Sequence, residues 1–478
     1  MHTQMPLETP ISRPILPETR RLSGAYTRAA IAYFLLIYVL WIVGIEGIYG
    51  HPAPFYALIL PAFELKNAVW HIQAILVLSL SVVLTIKGIH KFRLLESEPD
   101  AKTQRRFIAW CILLAFIVPG SVAMIRGGLD GITMAYDRQG YEYISDIGVG
   151  GSIRGLFSDY EKYHNYLSMH SKVHPPGPIA ILWIMSFVVG RTALGLSLAT
   201  MAFGSLSVIP FHLWVRDLFG FRAAIQSTLL YIFVPTIMLF TATSADIAFM
   251  PFVLTTLFLF WRAITRGSLR YALVAGVTYA LCSVISFSLV GIGSFFGFVG
   301  IWKLTDHASR TKVVVTAIGM IITVLLTHCL IWLWSGFNIF RVFELCRQQF
   351  VTDQINLDMY DPRYPSWVFR ILNPLCWFYF AGIPISVLAL KQIFSRESDH
   401  RAFFIVIGIT LVAFDILYLA RGEGERSAMY IMPFVVIPAG CYLTETTQRS
   451  GSMQPLTVTL LFLALQCWFT ESVLYTYW

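Results

Sequence analysis

Phe107–Met124, FIAWCILLAFIVPGSVAM, is a run of 18 residues without a charge. At about 1.5 Å per residue, a helix of that length nearly covers a hydrocarbon layer roughly 30 Å thick. Arg105 and Arg106 stop the run on one side, and Arg126 follows it closely on the other. The pattern recurs at Ala29–Ile45, Ala68–Ile86, Ala223–Phe240, Ile247–Trp261, Val313–Trp334, Val368–Leu390, Phe403–Leu419, Met429–Tyr442 and Leu456–Phe469. Lipid offers no partner to an open backbone N–H or C=O, so each run must satisfy itself as a helix. The expectation is an all-α polytopic membrane protein with about 11–13 transmembrane helices and two long amphipathic extracytoplasmic loops. Composition agrees: 56% of the 478 residues are apolar and 13% charged, too oily for a chain that must coat itself in water. Soluble enzymes, nucleic-acid-binding domains and disulfide-stapled secreted scaffolds are excluded.

The formal charge of +8 reports orientation through its placement. Lys87–Arg106 holds six bases and three acids, whereas Asp130–Lys172 holds six acids and four bases. The first is read as cytoplasmic and the second as extracytoplasmic, with residues 1–28 a polar cytoplasmic tail. Pro178–Trp214 resists this scheme. Interrupted only by Arg191, it is long enough for two crossings, which would leave the basic link Arg216–Arg222 outside. Tyr271–Trp302, bounded by Arg270 and Lys303, implies short, tilted or broken helices. Within it GIGSFFG, Gly291–Gly297, lacks the lysine and strand-helix setting of a nucleotide loop and reads as a packing or kink region. Seven cysteines show no metal-ligand spacing and read as small buried hydrophobes. The aromatics of WIVGIEGIYG (41–50), NPLCWFYF (373–380) and the closing YTYW (475–478) read as interface anchors.

Two extracytoplasmic segments, Arg126–Gly177 and Ser335–Trp367, mix aromatics and charges at helix-like intervals and together could roof a cavity. In the first, Glu142 and Asp146 are four residues apart, so a helix over Gly140–Ile147 would put both carboxylates on one face, where either could take a proton from an attacking hydroxyl. A solvated acidic face is the alternative. Asp137, beside Arg138, is a weaker candidate. His164, His170 and His174 have spacings compatible with a metal cluster but looser than structural sites favour. His174 is set apart by the stiff sequence VHPPGP and could donate to a phosphate or sugar oxygen. Asp246, after TATSA, is costly at the head of an apolar run unless it caps, pairs with a base or lines a wet cavity. RGEGER places Arg421, Glu423, Glu425 and Arg426 between two apolar runs; Arg suits phosphate through its rigid fork, with the acids orienting it. Arg341, Arg347 and Arg363 of the second loop could also meet phosphate, without a specific pattern.

These elements together resemble the integral-membrane glycosyltransferases of the C superfamily, particularly the branch of protein O-mannosyltransferases and lipid A aminoarabinose transferases. The resemblance rests on YDRQGYEYISDI (136–147), HPPGPIAILW (174–183), RDLFGFRAA (216–224), FTATSADIAFMPFVL (240–254) and GEGERSAMYIMP (422–433). It covers roughly Phe107 to Gly440. By that resemblance Glu142 or Asp146 matches the first-loop catalytic acid, and His174 sits near the active-site entrance. By the same resemblance Asp246 lines the inner end of an outward-facing cavity and Arg426 approaches the carrier phosphate; Asp137, Arg421 and Glu425 are further substrate-binding candidates by position and charge alone. The family's first-loop acids are usually adjacent; here Tyr143, Ile144 and Ser145 separate them, which leaves the base undecided. Members use a divalent cation or none, so metal dependence stays open.

The organisation implied is a tail at 1–28, two N-terminal transmembrane helices and a basic loop at 29–106, a glycosyltransferase-like core at 107–440 with outer loops 126–177 and 335–367, and a C-terminal helix at 441–478. The function implied is an inverting transfer of a monosaccharide from a polyprenyl-phosphate-linked donor to a lipid, glycan or protein hydroxyl. It would take place on the outer or periplasmic face of a multi-pass plasma-membrane protein. A transporter or flippase of a lipid-linked saccharide is the rival; it predicts functional charges near the bilayer midplane rather than in outer loops.

Overall fold

The computed structural model describes residues 16–42, 68–92, 94–138, 140–360, 366–417 and 424–473. No strand occurs among them. The N-terminal part consists of α1 (Leu16–Ile42), α2 (Ala68–Lys91) and α3 (Ala101–Ala123), followed by four short outer helices, α4 (Leu129–Asp137), α5 (Ile153–Ser158), α6 (Tyr160–Tyr163) and α7 (Met169–Val173). Next come α8 (Gly177–Val189), α9 (Ala193–Ser205), α10 (Val208–Ile232), α11 (Pro235–Phe240), α12 (Met250–Arg266), α13 (Leu269–Ile285), α14 (Gly293–Leu304) and α15 (Arg310–Ser335). The chain continues through α16 (Ile339–Tyr360), α17 (Ser366–Phe380), α18 (Ile383–Ile393), α19 (Arg401–Leu417), α20 (Gly424–Ser427), α21 (Met432–Ser450) and α22 (Gln454–Val473).

Among the described residues, eight helical stretches are long and apolar enough to cross a membrane, or nine if the α17–α18 pair is one span. The larger figure read from the sequence arises because several apolar runs are built from shorter helices, such as α8 and α13. Val368–Leu390, read as one span, bends by 110° between α17 and α18. The hinge is Gly382, at φ 94°, where a Cβ would run into Leu463. Helix α1 begins at Leu16, inside the stretch read as a tail, and the boundary placed at 440 falls within α21. The segments 41–50 and 475–478 lie wholly or mostly outside the described residues, but the third aromatic group is legible. Tyr379 and Phe380 are fully buried, with Tyr379 bonded to Thr470 at 2.8 Å, so they belong to the core rather than the interface.

Apolar burial does not drive helices together in lipid, so close backbone approach at small residues must do that work. Gly440 of α21 faces Ser227 of α10, and Gly276 of α13 faces the Met320 backbone of α15, each with no room for a Cβ. Gly319 of α15 lies against Ala272 in the same seam. Replacing any of the three with leucine would wedge a pair of helices apart.

The difficulty over Pro178–Trp214 has a geometric answer. His174, just before α8, packs on Tyr143, and Arg191, just after it, donates to the Ile147 carbonyl at 3.4 Å. Both ends of α8 therefore meet the same short stretch of the first outer loop, and α8 runs beside that loop rather than away from it. The crossing falls to α9 and the first part of α10, which end at Gly220, φ 82°. There Arg216 meets Glu98 at 2.7 Å and Arg222 donates to the Glu96 carbonyl at 2.9 Å, on the basic loop after α2. One crossing in place of two puts the link where its charge belongs.

Candidate functional site

The first outer loop is held by two sets of bonds. The amides of Met169 and His170 donate to the carbonyls of Gly140 and Tyr141 at 3.0 and 3.1 Å, laying α7 across the segment that carries Glu142. Beside this, Asp146 accepts from the Ser168 amide at 3.0 Å and from its hydroxyl at 2.6 Å, at the first turn of α7. The helix expected over Gly140–Ile147 is instead a single tight turn, Tyr143–Asp146, with Glu142 extended before it. The two carboxylates do not share a face. Asp146 is consumed in bracing α7, whereas Glu142 turns to the His170 Nδ1 at 3.2 Å.

Glu142 is 6% exposed. Burial raises its carboxyl pKa, but the hydrogen bond from His170 and the charges of His170, Arg426 and Arg138 outweigh this and hold it below the usual glutamate range. It is an ionised carboxylate in a dry setting, with one oxygen bonded to His170 and the charges of Arg426 and Arg138 acting on it. His174 lies on the far side of Tyr143, whose ring is 6.1 Å from that of His170 and 5.8 Å from that of His174. Burial, with the charges of His170 and Arg426, pushes its imidazole down to about 3. It is therefore neutral at ordinary pH. The Tyr160 hydroxyl fixes its carbonyl, and its Nδ1, shut off from solvent, meets no partner among the described residues.

The other half of the site comes from remote sequence. The short turn before α12 brings in Asp246, and α20 brings in Arg426, whose Nε lies 3.5 Å from Asp246 Oδ2. Both side chains are largely buried. Ser244, not Asp246, caps the turn, accepting from the Asp246 amide at 3.1 Å. Of the explanations open for Asp246, pairing with a base is the one realised. Glu142, His170 and Arg426 all act electrostatically on Asp246, which makes the five groups one cluster.

The remaining candidates are placed elsewhere. Asp137 is exposed at the end of α4. Glu425 is buried and turned toward α17, where the Cys376 thiol donates to its Oε2 at 3.6 Å. Arg421, Glu423 and Arg363 lie outside the described residues. His164 bonds the Lys172 carbonyl at 2.8 Å, and no group of three or more potential metal ligands forms among the described residues. Arg347 is exposed and bonded to Glu344 of its own helix at 2.7 Å. The two outer loops do pack together: Tyr160 contacts Cys346 of α16, Phe157 packs on Phe337, and Arg341 lies 3.6 Å from Glu161. His170 is the member of the cluster that spacing missed. As part of a histidine trio it suggested metal, and nothing local reveals that backbone pairing aims it at Glu142.

Residues 173–334 match the family model described as dolichyl-phosphate-mannose-protein mannosyltransferase. That segment, about a third of the chain, is what the chain shares with the family. The matched segment contains His174 and Asp246 and stops short of Arg426. No curated protein shows significant sequence similarity to the chain. Among solved structures, it is similar to the Archaeoglobus fulgidus oligosaccharyltransferase in complex with Zn and sulfate. There the identity is 16% and the TM-score 0.42, covering 62% of this chain and 44% of that one. It is similar also to ArnT from Cupriavidus metallidurans in the apo state, at 14% identity and TM-score 0.44, covering 73% and 61%. The chain thus spans less than two thirds of the length of either.

Proposed function

We propose that the protein transfers a monosaccharide from a polyprenyl-phosphate-linked donor to a hydroxyl acceptor, at the end of the bundle formed by its two outer loops. The observation that carries this reading is the buried pairing of Glu142 with His170 beside the Asp246–Arg426 pair. Glu142 accepts the proton of the acceptor hydroxyl as its oxygen bonds the anomeric carbon, and the sugar–phosphate bond breaks with its electrons passing to the phosphate. Arg426, held by Asp246, meets the growing charge on that phosphate with its fork. His170 keeps Glu142 ionised and oriented, and neutral His174 offers an imidazole nitrogen to a sugar hydroxyl. Asp146 is a positioning residue that sets the loop.

The charge asymmetry between the two bundle ends supports an extracytoplasmic site. The test uses the purified full chain with E142Q and D146N variants, a panel of polyprenyl-phosphate sugars and membrane lipid extract, and follows release of the carrier phosphate. Release in the wild type that E142Q abolishes and D146N largely keeps is the expected result. Donors that stay intact yet cross a proteoliposome membrane would overturn it in favour of transport.

A further inference from the structure

Helices α14 and α15 leave a cavity of about 500 Å³ between them, closed at the back by Phe260 and Ile264 of α12 and Tyr279 of α13. That is within the roughly 300–1,000 Å³ span of ligand clefts, and the lining is almost wholly apolar. Exposed Ile301, Ile321 and Leu325 on its lip open it to the bilayer. It exists because side chains are missing. Gly293, Gly297 and Gly300 line it along one face of α14, and at Gly297 a Cβ would have nothing within 4 Å. Small residues in membrane helices ordinarily admit a second backbone, as Gly276 and Gly319 do between α13 and α15; here no helix among the described residues fills the space.

A second observation is independent of the glycines. Thr316 lines the cavity, is 1% exposed, and its hydroxyl finds no hydrogen-bond partner among the described residues. Thr323 and Thr327 on the same helix each satisfy theirs on the carbonyl four residues back. The rim supplies charge. Lys312 lies one turn before Thr316 and donates one hydrogen bond to the Thr265 carbonyl at 3.2 Å, and Lys303 closes α14. The two ammonium groups act on one another and on Asp306, while Arg310 donates to the Leu304 carbonyl. Three bases against one acid leave a positive rim, at the bundle end that also holds Arg262 and Arg266 and lies away from the Glu142 cluster.

We propose that this groove binds an anionic glycerophospholipid of the cytoplasmic leaflet, its phosphate at Lys303 and Lys312, an ester carbonyl on the Thr316 hydroxyl and one acyl chain along Gly300, Gly297 and Gly293. The spacing fits: four residues of helix carry Thr316 about 6 Å deeper than Lys312, roughly the step from headgroup to ester. The site is separate from the proposed transfer chemistry and does not depend on it.

The test uses the full chain, delipidated in detergent, as wild type and as G297L, T316V and K303Q/K312Q, each checked for helical content. Phosphatidylglycerol, phosphatidylcholine and polyprenyl phosphate are added in turn, and retained lipid is read by native mass spectrometry beside the melting temperature. The wild type is expected to retain phosphatidylglycerol about tenfold better than phosphatidylcholine. The double lysine variant should bring that ratio toward one, and G297L should lose both lipids. T316V should weaken phosphatidylglycerol retention while the lipid-free protein melts no lower than wild type. Equal retention of the two phospholipids by the wild type, undiminished phosphatidylglycerol on G297L, or displacement of phosphatidylglycerol by polyprenyl phosphate would each overturn the assignment.

Discussion

At the bundle end that carries Lys91, opposite charges meet at contact distance and in partial contact with solvent: Arg262 Nε lies 2.5 Å from Asp217 Oδ2, and Arg216 Nη2 lies 2.7 Å from Glu98. In the Glu142 cluster at the other end the distances are longer and the groups far more buried, 3.2 Å for His170–Glu142 and 3.5 Å for Arg426–Asp246, whereas Arg126–Glu471 on that same side is both buried and close, at 2.9 Å. Close pairs with open surroundings suit joining elements, since each charge is already answered and water makes up the rest. Buried pairs with slack geometry hold charge that a ligand can still engage, and sites of that kind are where function concentrates. The Glu142 cluster and the Lys91 end thus differ in distance and burial within one chain, using the same residue types.

The largest test of this contrast is E142Q, which keeps shape and removes the base. Transfer should fall by about 10²–10⁴-fold in single-turnover kinetics with donor binding retained. A comparable loss in D146N, with helical content unchanged, would reverse the division of labour between the two carboxylates. R426L should act on both binding and stability. Removing one member of a buried pair costs about 3–5 kcal/mol, because Asp246 is left uncompensated. A lowered melting temperature is expected, together with a raised KM for the lipid-phosphate donor.

H170Q sharpens the comparison through pH. Glu142 has a folded-state pKa below its ordinary value, so its contribution to stability is present above the unfolded value and lost as pH falls through the folded one. Taking away His170 leaves burial with less opposition, so the Glu142 pKa rises. The acidic limb of kcat/KM should then move to higher pH, and the acid loss of stability tied to Glu142 should become smaller and be complete at higher pH. The neutral His174 ring should add no limb of its own between pH 5 and 8. The smallest effect belongs to the other end of the bundle. R262Q should cost about 1 kcal/mol or less in thermal unfolding and leave transfer unchanged, as expected of a partly solvated pair.

Much of the membrane architecture was legible without coordinates. Phe107–Met124 lies within α3 and its terminal turn, and Val313–Trp334 lies within α15, because an uninterrupted apolar run has one solution in lipid. Breaks were harder to see. Gly382 bends α17 against α18 because of what Leu463 and Pro235 place beside it, and α8 fails to cross because both its flanks are caught by the first outer loop. The site was legible as a set of residues and not as an arrangement. Glu142, His174, Asp246 and Arg426 converge, while Asp146 and Glu425, equally plausible by type and position, are turned to Ser168 and Cys376.

The sequence by itself determined that this chain is helical, crosses a membrane many times and carries its acidic, histidine-rich loop opposite its basic one. Those properties follow from local requirements: a backbone in lipid must bond within its own segment, and lysine and arginine near membrane edges set direction. Only the tertiary structure decided which carboxylate stands in the cluster, which histidine holds it and which arginine faces it. Glu142 and Asp146 differ by one turn of chain, and what separates them is contact with residues distant in sequence. His170 reaches one through the pairing of Met169 and His170 with Gly140 and Tyr141, while Ser168 engages the other. Interactions of that kind depend on where remote segments are brought, and no spacing within a loop encodes them.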